Sequence, residues 1–256
     1  MDLGYFETSL NVQDIKRSVK FYEALGFAHI DGGVEIRTVS MARGDCRIAL
    51  YQGYLDPPQT QLIFWQGDIE ALGRELVGKG LTLEKGPHKD DKGAALMFRD
   101  PDGHPIFLIN MPIRYVNDPG YEHEMPAYRR ARLKPDMQLG WFNLSLDVED
   151  IGRSVEFYEK LGFKRLRDTA PRTATLHNGD CRICLYQGYL DPAQTQLIFW
   201  QGDLDAIAAT VTRQGLSFFR EPKSDETGEA FMLRDPDGHP LFFINLRKYR
   251  PAEAAA

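Results

Sequence analysis

The chain has 256 residues, of which 43% are hydrophobic and 11% aromatic, and this content is enough to bury two cores of ordinary domain size. A formal net charge of -6 excludes the basic surface that nucleic acid or an anionic membrane would require. No apolar run reaches the ~18 residues of a membrane span and the N-terminus has no signal pattern, so we expect a cytoplasmic protein without nucleic-acid or membrane partners.

The first predicted elements are a strand and a helix. Residues 6–12 alternate between apolar and polar side chains, which predicts a half-buried strand whose polar face carries Glu7 and Ser9. Asp14 then caps a helix with apolar residues at helical spacing, and Gly26 ends it. Three short strands are predicted next, around residues 27–30, 35–41 and 46–52. The first module therefore has the order βαβββ.

The same order starts again after a loop at 53–60. We predict a strand at 61–66, a helix capped by Asp68 and ended by Gly80, and three further strands. The last two strands are joined by the sequence DPDG at 100–103, which has the residue types of a type I turn. This structural role is favoured over a functional carboxylate pair.

The second half of the chain repeats the first. Residues 44–68 return as 179–203 with 23 of 25 positions identical, and the flanking segments correspond in the same order. The repeated unit is therefore a whole domain, duplicated in tandem. The segment 113–137 has no equivalent and carries prolines among charged and tyrosine residues, so we expect a linker there. The expected domains are 1–112 and 138–248, followed by a flexible tail at 249–256.

The three cysteines are too few for a disulfide scaffold. Cys181 and Cys184 form a C-x-x-C pattern, but an odd separation within a strand points two side chains to opposite faces. We therefore predict no redox pair.

The modules, the helix pattern V-x-D-I-x-R-S-V-x-F-Y-E-x-L-G-F and the terminal DPDG hairpin together resemble the vicinal oxygen chelate superfamily. That superfamily includes glyoxalase I, fosfomycin-resistance enzymes, extradiol dioxygenases and bleomycin-binding proteins. The resemblance covers nearly everything outside the linker and the tail. It implies an α+β fold of four βαβββ modules, in which two cup-shaped domains pack as an internal pseudo-dimer. The chain is then a monomeric pseudo-dimer or forms a homodimer.

The resemblance also indicates where a metal would bind. Metal-dependent members hold a divalent ion in each cup through residues, chiefly His and Glu, on the first and last strands of each module. The corresponding positions here are Glu7, Ala49, Gln61 and Phe107 in the first copy and Asn143, Cys184, Gln196 and Phe242 in the second. Phenylalanine cannot coordinate a metal, and the six histidines have no ligand spacing. We therefore expect neither a metal site nor a cofactor.

Strand alternation, counted from these positions, predicts the lining of each cup. The first cup is lined by Glu7, Ser9, Arg47, Tyr51, Gln61, Ile63, Trp65 and Phe107, and the second by Asn143, Ser145, Arg182, Tyr186, Gln196, Ile198, Trp200 and Phe242. An aromatic lining with a few convergent polar groups is typical of a small-molecule pocket. The alternative is that these side chains fill the cup and pair with one another. Arg47 and Arg182 are the candidate anchors for a planar or anionic ligand, unless they form salt bridges.

These patterns favour a metal-independent small-molecule-binding protein of the sequestering or resistance type. The alternative is a glyoxalase-like lyase or isomerase that uses a divalent metal with atypical ligands and Glu7 as the catalytic base. A third possibility is a structural protein with filled cups. Because Glu7 is opposite Arg47 whereas Asn143 is opposite Arg182, we expect an anion to prefer the second cup. Arg182→Ala should then abolish anion binding, and Glu7→Gln should leave it intact.

Overall fold

The computed structural model describes residues 1, 3, 5–56, 59–65, 67–90, 93–110, 136, 138–191 and 194–247. The expected tail and almost all of the expected linker lie outside these residues. Asp136 is the described residue of that linker segment, and its carboxylate pairs with Arg43 of the first domain (3.2 Å). None of the described helices has the length and apolar character needed to cross a membrane.

The first copy forms one mixed sheet of eight strands with two helices on one face. Its strands are β1 (Tyr5–Asn11), β2 (Ala28–Gly33), β3 (Thr38–Arg43), β4 (Cys46–Tyr51), β5 (Gln61–Trp65), β6 (Lys85–Asp90), β7 (Gly93–Arg99) and β8 (Pro105–Asn110), and its helices are α1 (Ile15–Ala24) and α2 (Ile69–Gly78). The strand order is β2-β3-β4-β1-β5-β8-β7-β6. The first strands of the two modules, β1 and β5, are therefore central, and they pair antiparallel.

The second copy repeats this sheet. Its strands are β9 (Trp141–Asp147), β10 (Lys164–Ala170), β11 (Thr173–Asn178), β12 (Cys181–Tyr186), β13 (Gln196–Trp200), β14 (Phe218–Ser224), β15 (Gly228–Arg234) and β16 (Pro240–Leu246), and its helices are α3 (Ile151–Lys160) and α4 (Leu204–Arg213). The order β10-β11-β12-β9-β13-β16-β15-β14 is the same as in the first sheet. The predicted α+β fold of two duplicated cup domains is confirmed.

Local sequence signals account for the helix boundaries. The Asp14 side chain accepts hydrogen bonds from two backbone N–H groups of the first turn of α1, and Asp68 caps α2 in the same way. Gly26 ends the first helix in the left-handed region at φ 82°. The strand predicted at 35–41 starts later than expected, because residues Val34–Ile36 form a short helical turn that ends at Arg37 with φ 59°.

The hydrophobic core lies between the helices and one face of each sheet. Phe6, Leu10 and Leu62 belong to this core, whereas Ala49 and Ile63 are equally buried but face the other side of the sheet. Alternation along each strand thus separates a helix-packed face from a concave face. On β12, Cys181 is in the core and Cys184 is on the concave face, as the odd separation predicts, and both are free thiols.

The two domains pack through reciprocal hydrogen bonds. Asp235 accepts from the buried Tyr22 hydroxyl (2.9 Å), and Asp100 accepts from the buried Tyr158 hydroxyl (2.9 Å). Burial raises the pKa of both tyrosines well above the usual value, so both phenols remain donors at neutral pH. Because each contact occurs twice with the domains exchanged, the interface has the pattern of a twofold dimer within one chain.

The DPDG turns make these contacts. Each turn is closed by a backbone hydrogen bond, of 3.1 Å in the first copy and 3.0 Å in the second, which confirms the predicted turn. The second aspartate of each turn also bonds to the other domain: Asp237 accepts from Ser18 Oγ (2.7 Å) and Asp102 from Ser154 Oγ (2.6 Å). The carboxylates therefore do more than shape the turn, because they hold α1 and α3 of the opposite domain.

Candidate ligand-binding cups

The strand registers determine which side chains share the concave face. Ser9 on β1 pairs with Ala49 on β4 and with Gln61 on β5, while Ile63 pairs with Phe107 on β8. Directly paired residues point to the same side of a sheet. The concave face of the first domain therefore carries the predicted lining, and the equivalent registers give the same result in the second domain.

The first cup has a buried polar floor and partly exposed aromatic walls. Glu7, Arg47 and Gln61 are only 1%, 3% and 2% exposed. Trp65 and Phe107, on the same face, are intermediate in exposure. This combination is typical of a concave surface on which solvent or a ligand contacts aromatic rings above buried polar side chains.

Arg47 is the central cation of the first cup. Its Nη1 donates to the carbonyl oxygen of Phe6 (3.1 Å) and to a carboxylate oxygen of Asp180 (3.2 Å), and its guanidinium lies 5.4 Å from the centre of the Tyr5 ring. Its Nε and Nη2 atoms are buried and have no hydrogen-bond partner within the protein. A buried donor without an acceptor costs about 1 to 3 kcal/mol.

Two further donors on the same face lack a hydrogen-bond partner. The indole Nε1 of Trp65 and the hydroxyl of Ser9 are both buried without a hydrogen-bond partner in the protein. Paired residues place Trp65 beside Tyr5, and their rings stack with centroids 6.3 Å apart. The first cup thus contains buried N–H and O–H groups from β1, β4 and β5 to which the described residues supply no acceptor.

The second cup satisfies its corresponding indole internally. The Asn143 amide is assigned with its nitrogen towards the carbonyl oxygen of Phe142 (2.8 Å) and its oxygen towards Trp200 Nε1 (3.1 Å), so that it donates to Phe142 and accepts from the indole. Cys184 lies beside Thr175 Oγ1 (3.1 Å), and burial raises the pKa of its thiol. The Ser145 hydroxyl remains without a partner, as in the first cup.

Each arginine is paired with a carboxylate from the opposite domain. Asp180, in the turn between β11 and β12, bonds Arg47, while Asp45, in the turn between β3 and β4, lies 3.5 Å from Arg182 Nη1. The lining predicted for the second cup contains no carboxylate, but Asp45 brings one to Arg182 from the opposite domain. Strand patterns could suggest only Glu7, because these aspartates approach across the domain interface.

Burial shifts the titration of these interface carboxylates. It raises the pKa of Asp45 to about 6, although Arg182 and the backbone N–H of Phe142 act in the opposite direction. The pKa of Asp180 is also raised by burial, against the attraction of Arg47. Both carboxylates are thus harder to ionise than exposed aspartates.

We expect Asp45→Asn to remove a pH dependence of stability. Because the folded pKa is raised, the stability that Asp45 contributes is fully present below its unfolded pKa of 3.8 and is lost as the pH rises through about 6. Relative to the unchanged protein, the variant should gain on the order of 3 kcal/mol at pH 7.5 and much less near pH 4. Urea unfolding at a series of pH values measures this, and a difference that is constant with pH would contradict it.

The family relationship follows from the sequence comparison. Residues 4–108 and 139–243 match the family model of the Glyoxalase/Bleomycin resistance protein/Dioxygenase superfamily. The chain belongs to this superfamily. Each matched segment is one of the two copies, so both domains are members, as the resemblance predicted. No curated protein matches the sequence.

Several solved structures resemble the whole chain. An extradiol ring-cleaving dioxygenase from B. fuscum has a TM-score of 0.62 and 17% identity, over 98% of this chain and 74% of the dioxygenase. A catechol 2,3-dioxygenase has a TM-score of 0.59 and 17% identity, over 98% of this chain and 90% of its own. Homoprotocatechuate 2,3-dioxygenase from Arthrobacter globiformis has a TM-score of 0.60 and 16% identity, over 95% and 80% of the respective chains. At such identities the likeness establishes the fold alone.

In the first cup, the positions that hold a divalent ion in metal-dependent superfamily members do not form a fitting donor set. In the first cup Glu7 and Gln61 offer oxygen donors, but Ala49 and Phe107 occupy the other two positions on the same face. Three or four converging donors are required for such an ion. Across the described residues, no group of three or more His, Cys, Asp or Glu side chains is arranged to hold a metal.

The equivalent histidines lie outside the cups. The Nδ1 atoms of His104 and His239 lie 2.8 Å from the carboxylates of Asp100 and Asp235 at the domain interface. Both rings therefore orient the turn carboxylates that bind the tyrosines.

Proposed function

We propose that the chain is a metal-independent small-molecule-binding protein, whose first cup holds a planar aromatic molecule by its hydrogen-bond acceptors. The observation that carries this proposal is the pair of buried, unpartnered donors on Arg47. A ligand that displaces the groups covering these atoms and supplies acceptors to them removes a cost of about 1 to 3 kcal/mol for each donor. Covering the partly exposed rings of Trp65 and Phe107 adds about 25 cal/mol for each Å² of apolar surface buried.

Charge favours an acceptor group over a full negative charge. Asp180 already lies 3.2 Å from the Arg47 guanidinium and offsets much of its charge. The buried Glu7 belongs to the same floor. A neutral carbonyl or amide oxygen on an aromatic ring therefore suits the first cup better than a carboxylate does. This revises the expectation of an anionic ligand and retains the planar one.

The likeness to aromatic-ring dioxygenases supports the aromatic part of the proposal. A homoprotocatechuate 2,3-dioxygenase from B. fuscum, with a TM-score of 0.60 and 18% identity to this chain, was solved in complex with HPCA. The same concave face in this chain carries aromatic walls, while two of the four metal positions of the first cup, Ala49 and Phe107, offer no donor. We therefore propose retained aromatic binding without the metal chemistry.

Analysis of what co-purifies with the full chain tests this function. We expect mass spectrometry of the denatured protein to release a planar aromatic compound, and elemental analysis after dialysis to find no stoichiometric transition metal. Retention of a stoichiometric metal would contradict the proposal and favour the lyase or isomerase alternative with Glu7 as base. If no compound co-purified and no aromatic carbonyl compound in a screen raised the melting temperature, the binding function would be rejected. The interpretation of the chain as a structural protein with filled cups would then stand.

A further inference from the structure

The two cups differ at the residue that meets the tryptophan indole. Trp65 and Trp200 occupy equivalent positions at the ends of β5 and β13, each beside the first strand of its domain. On that neighbouring strand, Glu7 in the first copy corresponds to Asn143 in the second. Ser9 and Ser145 both have hydroxyl groups without a partner, so the serine does not distinguish the cups.

Asn143 gives the second cup an internal hydrogen-bond chain once its amide is assigned by its neighbours. With the amide nitrogen facing the carbonyl oxygen of Phe142 (2.8 Å) and the amide oxygen facing the indole Nε1 of Trp200 (3.1 Å), Asn143 donates to the first and accepts from the second, whereas the opposite assignment sets acceptor against acceptor and donor against donor. These bonds use both ends of the amide and fix the orientation of the indole ring. In the first cup the indole Nε1 of Trp65 has no such acceptor.

The arginine of the first cup is also more buried than the arginine of the second cup. Arg182 is 25% exposed, lies 5.1 Å from the centre of the Trp141 ring, and retains contact with water. Arg47 is 3% exposed and keeps two buried donors without a partner. An incoming acceptor therefore relieves more unsatisfied groups in the first cup than in the second.

We infer that Asn143 closes the second cup by engaging the Trp200 indole, so that ligand binds in the first cup alone. The residue at position 7 in one copy and 143 in the other determines whether a cup accepts a ligand. This inference rests on the proposed function, because it assigns the site of that binding. It reverses the expectation that the second cup is preferred.

Indole NMR of the intact chain tests the inference directly. The chain has three tryptophans, so ¹⁵N-indole labelling gives three Nε1–H resonances, which Trp65→Phe, Trp141→Phe and Trp200→Phe assign. We expect the Trp200 proton to exchange with solvent about tenfold more slowly than that of Trp65, because it is hydrogen-bonded. Titration with naphthalene carboxamide should shift the Trp65 resonance and leave that of Trp200 unchanged.

Substitutions at position 7 of the first copy and position 143 of the second provide matched variants of the two cups. Glu7→Asn should move the Trp65 resonance towards that of Trp200 and weaken probe binding about tenfold, because the new amide takes the indole proton. Asn143→Ala should release the Trp200 indole and add a second binding event. If the probe moved Trp200 in the unchanged protein, or if Asn143→Ala left the exchange of Trp200 unaltered, the inference would be overturned with the proposed function intact. A probe that moved neither indole would contradict the proposed function, while the exchange rates would still decide whether the Asn143 bond exists.

Discussion

Asp235→Ala is expected to lower the free energy of unfolding by about 3 to 5 kcal/mol. Asp235 is 4% exposed, and its carboxylate accepts from the Tyr22 hydroxyl at 2.9 Å and from His239 Nδ1 at 2.8 Å. It also accepts from two backbone N–H groups of its own turn, at 2.9 and 3.0 Å. Removing the carboxylate leaves a buried phenol without an acceptor and loosens the turn that binds the opposite domain. Urea unfolding followed by circular dichroism measures the change.

The pseudo-twofold arrangement supplies the controls for this prediction. Tyr22→Phe removes only the bond between domains and should cost about 1 kcal/mol. Asp100→Ala should cost as much as Asp235→Ala, and Tyr158→Phe as much as Tyr22→Phe, because the equivalent bond has the same length of 2.9 Å. A cost for Asp235→Ala no larger than that for Tyr22→Phe would show that the carboxylate contributes nothing beyond one hydrogen bond.

Arg47→Met is expected to weaken binding of naphthalene carboxamide by about 100-fold, since a hydrogen bond to a charged donor contributes about 1.5 to 3 kcal/mol. The buried Nε and Nη2 atoms of Arg47 are the donors that the proposed ligand engages. Methionine preserves much of the side-chain length and apolar contact while removing every donor. Isothermal titration calorimetry, with circular dichroism to verify folding, gives the affinity of each variant.

Two further variants separate anchoring from structural effects. Arg47→Lys retains a positive charge for Asp180 but lacks the planar fork of donors, so binding should still fall by more than about tenfold. Arg182→Met, the matched change in the second cup, should alter the affinity less than about threefold, because a tenfold change corresponds to 1.4 kcal/mol. If Arg182→Met weakened binding more than Arg47→Met did, the anchor would be in the second cup. The sequence alone predicts that outcome, because it does not indicate that Asp45 lies beside Arg182.

Period-two alternation and the duplication were sufficient to predict much of this protein from its sequence. Each strand alternates between a helix-packed face and a concave face. Counting residues from the positions that the superfamily resemblance indicated therefore placed Ser9, Trp65 and Phe107 on the concave face. Asp and Gly at the helix ends set the helix boundaries through local hydrogen bonds and a positive φ. These signals act over a few residues, which is why a linear pattern carries them.

The tertiary structure alone decided which groups meet across the chain. Asp45 and Asp180 are equivalent positions of the repeated segment, but the repeat does not indicate their partners. They reach Arg182 and Arg47 because the two domains pack with exchanged contacts between residues more than 130 positions apart in the chain. The same holds for the aspartates of the DPDG turns, whose tyrosine partners lie on the opposite domain. Within the second cup, the bond from Trp200 to Asn143 depends on side-chain orientation across two paired strands. Hydrogen bonds require distances of about 3 Å between specific atoms, and sequence spacing determines such distances only within one helix or strand.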